Sequence, residues 1–154
     1  MSRFRFVTAA VVLVAVSVLT LTACGGGSSQ LSKEDYTAKA NKICGDVTKQ
    51  ADALPAPKSL TDIAPWLEKA KPLLKNELSD LRKLKPPADM ESDVNAWLAT
   101  GDRELQLFDE MGTAAKTGDT NAVLQVIQKG SSAASEGDKL AKKLGLTVCA
   151  ASSA

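Results

Sequence analysis

Four stretches of this sequence carry apolar side chains that recur at steps of three and four residues. That spacing collects the apolar side chains on one face of an α-helix, and such a face is buried against another element. Pro55 and Pro57, then Pro86 and Pro87, and finally Gly118 separate the stretches. Connections this short favour antiparallel neighbours. The sequence therefore predicts an all-α fold, a four-helix bundle that runs up-down-up-down.

Residue types at the ends of the stretches indicate the helix boundaries. Ser32 and Asp35 form a capping pattern three residues apart, and Gly118 and Gly145 suit the left-handed residue that ends many helices. The expected helix starts are Ser32, Ser59, Ala88 or Asp89, and Asp119.

A proline inside the second helix predicts a local bend. Pro72 lies in the helix interior, where proline costs about 3 kcal/mol unless the helix bends around it. We expect a kink there that parts the second helix from a neighbour. Trp66 and Phe108 lie at similar heights in the bundle and are the candidate lining of the resulting pocket. The alternative is ordinary core packing, which is the usual role of aromatic residues at helical spacing.

Small residues on the inward faces predict close approaches between helices. They are Gly101 and Gly112 in the third helix, and Gly130, Ala133, Ala134 and Gly137 in the fourth. The run in the fourth helix either makes a close internal contact, which is the favoured interpretation, or presents a docking face to a partner helix.

The N-terminus carries an uncharged apolar run over residues 6–21, preceded by two arginines and closed by Leu21-Thr22-Ala23-Cys24. This layout resembles the signal peptide and lipobox of a bacterial lipoprotein. The resemblance implies cleavage between Ala23 and Cys24, attachment of acyl chains at Cys24, and a place on the extracytoplasmic face of the cell membrane. The alternatives are a retained membrane helix, for which the run is short, and an ordinary secretory signal.

The predicted organisation has four parts. Residues 1–23 are the signal peptide, and residues 24–31 are the lipidated cysteine with a Gly/Ser tether. Residues 32–149 form one helical domain that ends in a short extended segment, residues 146–149. Residues 150–154 are predicted to fray.

The remaining cysteines, Cys44 and Cys149, are an even pair in a domain predicted to be exported, which favours a disulfide. The alternatives are two buried free thiols or a metal pair. An up-down bundle brings the end of the fourth helix beside the first, so the tail can reach Cys44. The disulfide and the bundle therefore support one another.

The residue types argue against catalysis, cofactors and metals. No histidine is present, which removes Ser-His-Asp, Cys-His and most zinc chemistry. Lys and Arg number 19 against 18 Asp and Glu, so charge gives no argument for nucleic acid. Several carboxylates alternate with lysines off the apolar stripes and are interpreted as a solvated face: Glu34, Asp46, Glu68, Asp80, Glu91, Asp102 and Glu110. An enzyme would need two carboxylates buried close together, and it ranks last.

Four short motifs run along the body of the chain. They are Tyr36-x-x-x-Ala40-Asn41-x-Ile43-Cys44, Leu84-x-Pro86-Pro87, Gly118-Asp119 and Leu144-Gly145-Leu146-x-x-Cys149. Together they resemble small helical lipoproteins of actinobacterial-type cell envelopes. That group carries no assigned catalytic or binding residues, so the resemblance implies location and processing alone.

The leading functional prediction is an interaction or scaffolding module of the cell envelope. It would be held to the membrane by its N-terminal lipid and would contact other envelope proteins or the cell wall. The alternative is a receptor for a small ligand, a hydrophobic metabolite or lipid, with a pocket between helices near Trp66 and Pro72. The receptor predicts an internal cavity of roughly a few hundred Å³.

Overall fold

A computed structural model describes residues 30–151, the last of them through its backbone alone. The predicted signal peptide, Ala23, Cys24 and residues 152–154 lie outside this range. The described chain forms four long helices and a short fifth, with no β-strand. The helices are α1 (Lys33–Asp52), α2 (Leu60–Lys83), α3 (Glu91–Thr117), α4 (Thr120–Leu144) and α5 (Thr147–Ala151). The predicted all-α fold with four long helices is confirmed.

Capping side chains begin α1 and α4 as the sequence predicts. The Ser32 hydroxyl accepts a hydrogen bond from the Asp35 amide at 3.0 Å and donates one to the Asp35 carboxylate at 2.9 Å. The Asp119 carboxylate accepts from the Ala122 amide at 2.9 Å. Each cap satisfies an amide that a helix start leaves without an intrahelical partner.

Two glycines end α3 and α4. Gly118 and Gly145 adopt the left-handed conformation, with φ of 69° and 79°, which disfavours any residue that carries a Cβ. Beyond Gly145, the Leu146 amide donates back to the Ala141 carbonyl at 2.8 Å. Both glycine ends are confirmed, and the second turns the chain back toward α1.

The start of α3 differs from expectation in detail. α3 begins at Glu91, later than the predicted start at Ala88 or Asp89. A turn precedes it, closed by the Met90 amide donating to the Pro87 carbonyl at 3.0 Å, and it brings the Met90 side chain into the core.

The second helix runs without a break from Leu60 to Lys83 although Pro65 and Pro72 lie inside it. Pro72 has no N–H, so the Glu68 carbonyl has no donor from the following turn. The helix is not interrupted there, and the kink at Pro72 stays a prediction.

The segment after α4 is helical, and the predicted extended tail is wrong. The Ala150 amide donates to the Leu146 carbonyl at 3.0 Å, which closes a helical turn. The Asn41 side chain of α1 accepts a hydrogen bond from the Val148 amide at 3.0 Å. This contact satisfies the Val148 amide at the start of α5. Because Asn41 is far away in sequence, no local pattern indicates the contact. Ala150 is 5% exposed, so the chain does not fray at this residue, contrary to the prediction.

The helices pack around α3, which contacts α2 and α4. α1 packs against α2 and α5, and α4 also contacts α5, whereas α1 and α4 make little direct contact among the described residues. Cys149 of α5 is bonded to Cys44 of α1, with their Cα atoms 5.1 Å apart. The predicted disulfide is confirmed, and α5 links α1 to the end of α4.

Ion pairs between exposed side chains connect the long helices. Between α2 and α3 they are Glu68–Lys116, Lys71–Asp109 and Arg82–Asp102; between α3 and α4 they are Asp93–Lys143, Arg103–Glu136 and Glu110–Lys129. Each exposed pair contributes at most about 1 kcal/mol to stability. In both sets the residue number falls along one helix as it rises along the other.

Close approaches occur at two of the predicted glycines. A Cβ at Gly101 would lie 2.5 Å from Cδ2 of Leu78, and a Cβ at Gly137 would lie 3.0 Å from Oγ1 of Thr100. At Gly112 and Gly130 the prediction is wrong. A Cβ at Gly112 would find its nearest neighbour at 3.8 Å, and one at Gly130 would find nothing within 4 Å.

The best-buried part of the core lies where α1 begins and α4 ends. Tyr36, Leu81, Leu146 and Cys44 are its largest fully buried side chains. None of the helices within residues 30–151 combines the length and the apolarity that crossing a bilayer requires.

Candidate functional site

A cavity of about 280 Å³, partly open to solvent, adjoins the disulfide. All five helices contribute to its walls, and Cys44 and Cys149 both line it. α1 and α4 make little direct contact, and α5 packs between them at one end only. Side chains as small as Ala51, Ala70 and Gly137 line the cavity and leave the space open.

Two carboxyl groups face this cavity from neighbouring helices, Glu77 in α2 and Glu104 in α3. Burial, and secondly the charge of Glu104, raises the pKa of Glu77 from 4.5 to about 7. Burial also raises the pKa of Glu104, with the Asp138 charge adding to the effect and Arg103 opposing it. In such a site the ionised carboxylates lack a compensating charge.

The charge that lines the cavity has one sign. Asp52, Glu77 and Glu104 line it, and no lysine or arginine does. Arg103 lies beside Glu104 in sequence, but its guanidinium pairs with the Glu136 carboxylate at 2.7 Å. The walls therefore produce a negative potential, which attracts a cation and repels an anion.

Aromatic side chains form part of the cavity wall. Trp66, Trp97 and Phe108 all line it. Nε1 of Trp66 is buried and has no hydrogen-bond partner among the described residues. Buried polar atoms in folded proteins are nearly always paired, so this atom of the cavity wall is a candidate to interact with a ligand.

An apolar groove of about 470 Å³ lies outside the cavity, between α2, α3 and α4. Trp66, Glu104 and Phe108 line both spaces and form the wall between them. Gly130 and Ile127 of α4 also line the groove, and Ile127 is 52% exposed. Because Gly130 has no side chain, a groove lies where the sequence predicted a close helix contact.

The sequence-predicted site residues fall into two groups. Trp66 and Phe108 come together at the same cavity, and the disulfide of Cys44 and Cys149 forms another part of its wall. That a ligand occupies this space stays a prediction. The cleavage and lipidation site at Ala23 and Cys24 lies outside the described residues.

The two glutamates were missed by sequence reasoning, although their spacing carries a signal. Glu77 follows Leu74 by three residues and precedes Leu81 by four, so it lies on the inward stripe of α2. Glu104 stands in the same relation to Gly101 and Phe108 in α3. A carboxylate in register with an apolar stripe is a better indicator of a site than the charges on the outward faces.

Within residues 30–151, no group of three or more His, Cys, Asp or Glu side chains is placed to hold a metal ion. No protein-family model matches this sequence, and no curated protein or solved structure is significantly similar to it.

Proposed function

We propose that this protein is a lipid-anchored, extracytoplasmic helical domain that binds a small ligand in the cavity between its helices. The observation that carries the proposal is the 280 Å³ cavity with Glu77 and Glu104 in its wall. Its volume is close to the lower end of the roughly 300–1,000 Å³ range of small-molecule sites. A protein under selection for stability alone would gain by replacing such carboxylates with apolar residues.

We further infer that the four long helices run up-down-up-down. The ion pairs support this topology, because residue numbers fall along α3 as they rise along α2, and again along α4 as they rise along α3. The Leu31 amide donates to the Lys85 carbonyl at 2.9 Å, which joins the start of α1 to the end of α2. These contacts are those of antiparallel neighbours.

The proposed anchor gives the site an orientation. An acyl chain on Cys24 would hold the domain by its N-terminal end, which lies beside Lys85 and the start of α3. Phe108 lies about 25 Å further along α3, at 1.5 Å per residue. With the helices upright on the bilayer, the groove beside Phe108 would open above the membrane surface, where a water-borne ligand reaches it.

Binding is a better account of the glutamate pair than catalysis. A general acid and a general base need environments that push their pKa values apart. Here burial raises the pKa of Glu77 and of Glu104 in the same direction. We propose no catalytic activity, no metal and no cofactor for the site.

Native mass spectrometry tests the proposal. The protein is incubated with a small-molecule extract of the envelope of the cells that produce it. The expected result is a bound species that is released when the protein is denatured. Ala51→Phe fills the cavity from α1 and should abolish that species. Ala38→Phe, on the exposed face of the same helix, is the matched control and should retain it. The proposal is contradicted if the unchanged protein retains no bound species, or if the Ala51→Phe variant retains that species equally well.

A second candidate, an interaction or scaffolding module for envelope proteins or the cell wall, draws support from the exposed face of α4, part of which also borders the apolar groove. Leu124 and Ile127 on α4 are 54% and 52% exposed. Two large apolar side chains a helical turn apart suit a protein contact. Replacing both by Ser should abolish recovery of a crosslinked envelope partner from intact cells; unchanged crosslinking would remove this candidate.

A further inference from the structure

We propose that the ligand is an organic cation with an apolar body, whose charged group lies between Glu77 and Glu104 and whose body lies against Trp66 and Phe108. This inference rests on the proposed ligand-binding function and names the chemical class of the ligand.

The charges around the cavity select the sign of the ligand. Glu77, Glu104 and Asp52 of α1 all line the cavity. Asp138 of α4 acts on Glu104 from the next helix. Arg103, the cation that acts on Glu104, pairs with the Glu136 carboxylate and lines no part of the cavity. An anionic ligand would meet only like charges, whereas a cation supplies the missing counter-charge.

The aromatic residues select an organic cation over an inorganic one. Trp66, Trp97 and Phe108 present ring surfaces to the space that the glutamates line. Aromatic faces attract alkylammonium groups, most strongly where water is excluded. A bare divalent ion instead requires several oxygen ligands at short distance, and no cluster of three carboxylates or other ligating side chains is present in residues 30–151.

The groove outside the cavity accounts for the apolar body. Trp66, Glu104 and Phe108 line both spaces, so a ligand whose charged group lies at Glu104 has the groove beside it. The rest of the groove lining is largely aliphatic and includes Ile63, Leu67 and Val126. A ligand that is charged at one end and apolar at the other matches this succession.

Three probes of nearly the same shape distinguish the effect of charge on binding from the effect of hydrophobicity. They are benzyltrimethylammonium, the uncharged isostere neopentylbenzene, and benzylsulfonate as the anion. Calorimetric titration uses the mature lipidated protein in a non-ionic detergent, with empty micelles as the blank. The cation should bind at least about tenfold more tightly than the uncharged isostere, and the anion should show no binding, because the walls carry only negative charge.

Glutamine variants locate the binding. Glu77→Gln and Glu104→Gln keep the shape of the side chain and remove its charge. Each should weaken binding of the cation by about tenfold near pH 8, because one attractive charge is lost. Glu34→Gln, an exposed position in the first turn of α1, is the matched control and should leave binding unchanged. Helical circular dichroism confirms that each variant is folded.

The outcomes distinguish this inference from the function on which it rests. If the uncharged isostere binds as tightly as the cation, or the anion binds best, the ligand class is wrong and the binding cavity stands. If the cation binds but neither glutamine variant weakens it, the assigned position is wrong. If none of the three probes binds and no species is retained from the envelope extract, both proposals fail.

Discussion

Glu77 of α2 and Glu104 of α3 line one cavity, and the charge of Glu104 helps to raise the pKa of Glu77 to about 7. The larger cause is burial, which withdraws the carboxylate from water. The two residues lie on different helices and are brought together only by the packing of α2 against α3. The fold therefore maintains two acidic groups whose ionisation is disfavoured by burial and by a neighbouring carboxylate, Glu104 for Glu77 and Asp138 for Glu104. This arrangement is costly unless a cation joins them.

The raised pKa of Glu77 predicts that stability falls as the pH rises. Its folded-state pKa of about 7 exceeds the ordinary 4.5, so between these values the folded protein binds more protons than the unfolded chain. The stability from the neutral carboxyl is complete below the ordinary pKa and is lost as the pH rises through about 7.

Glu77→Gln should remove this dependence. Relative to the unchanged protein, the variant should gain roughly 1–3 kcal/mol of unfolding free energy on going from about pH 5 to about pH 8. Urea denaturation at the two pH values measures the difference, and Glu34→Gln is the exposed control. Parallel pH profiles for Glu77→Gln and the unchanged protein would contradict the prediction.

The disulfide predicts a large loss of stability when it is removed. Cys44 and Cys149 are 105 residues apart in sequence, and the loop they close restricts the unfolded chain. In the chain-entropy model the bond contributes about 4–5 kcal/mol. A Cys44→Ser, Cys149→Ser double variant should show this loss in denaturant midpoint, and reducing agent should destabilise the unchanged protein but not the variant. A variant with an unaltered midpoint would show that α5 docks without its covalent bond.

Two glycines in helix interiors should respond to alanine with opposite signs. At Gly101 the new Cβ meets Leu78, which is buried and has little room to move, so Gly101→Ala should cost about 1–2 kcal/mol. At Gly130 nothing lies within 4 Å of the new methyl group. Gly130→Ala should therefore stabilise α4 by roughly 0.5–1 kcal/mol through helix propensity. Thermal unfolding of both variants checks the pair, and a change of the same sign in both would refute the packing argument.

The anchor prediction rests on sequence and is tested in cells. If Cys24 is the lipidation site, Cys24→Ser should leave the precursor uncut or release the protein from the membrane fraction. Immunoblots of membrane and soluble fractions measure both outcomes. Ser28→Ala, in the predicted tether, is the control for substitution near the cleavage site. A Cys24→Ser protein that is still cut at the same place and still held in the membrane would overturn the lipoprotein assignment.

Local patterns predicted the helices well, because each helix carries its own boundary signals. Ser32 and Asp119 accept the expected capping bonds, and Gly118 and Gly145 adopt the expected left-handed conformation. The helical form of the tail was beyond this reasoning, because it depends on Asn41 in α1.

The candidate site was predicted only in part. The spacing of Trp66 and Phe108 from the α2–α3 turn placed both at one height, and both line the cavity. Glu77 and Glu104 were not assigned to any site, yet each falls in step with the apolar stripe of its helix. The open space itself arises from the small contact between α1 and α4, a property of packing that no single stretch encodes.

The most direct test of the account is the titration of Glu77 by carbon-13 NMR of its side-chain carboxyl group. This group lines the cavity together with a second carboxylate, Glu104, and is partly withdrawn from water. Its pKa should be about 7 and should fall when benzyltrimethylammonium is added. A Glu77 carboxyl that titrates near the ordinary value of 4.5, with or without the cation, would contradict the buried acidic cavity and the ligand class proposed for it.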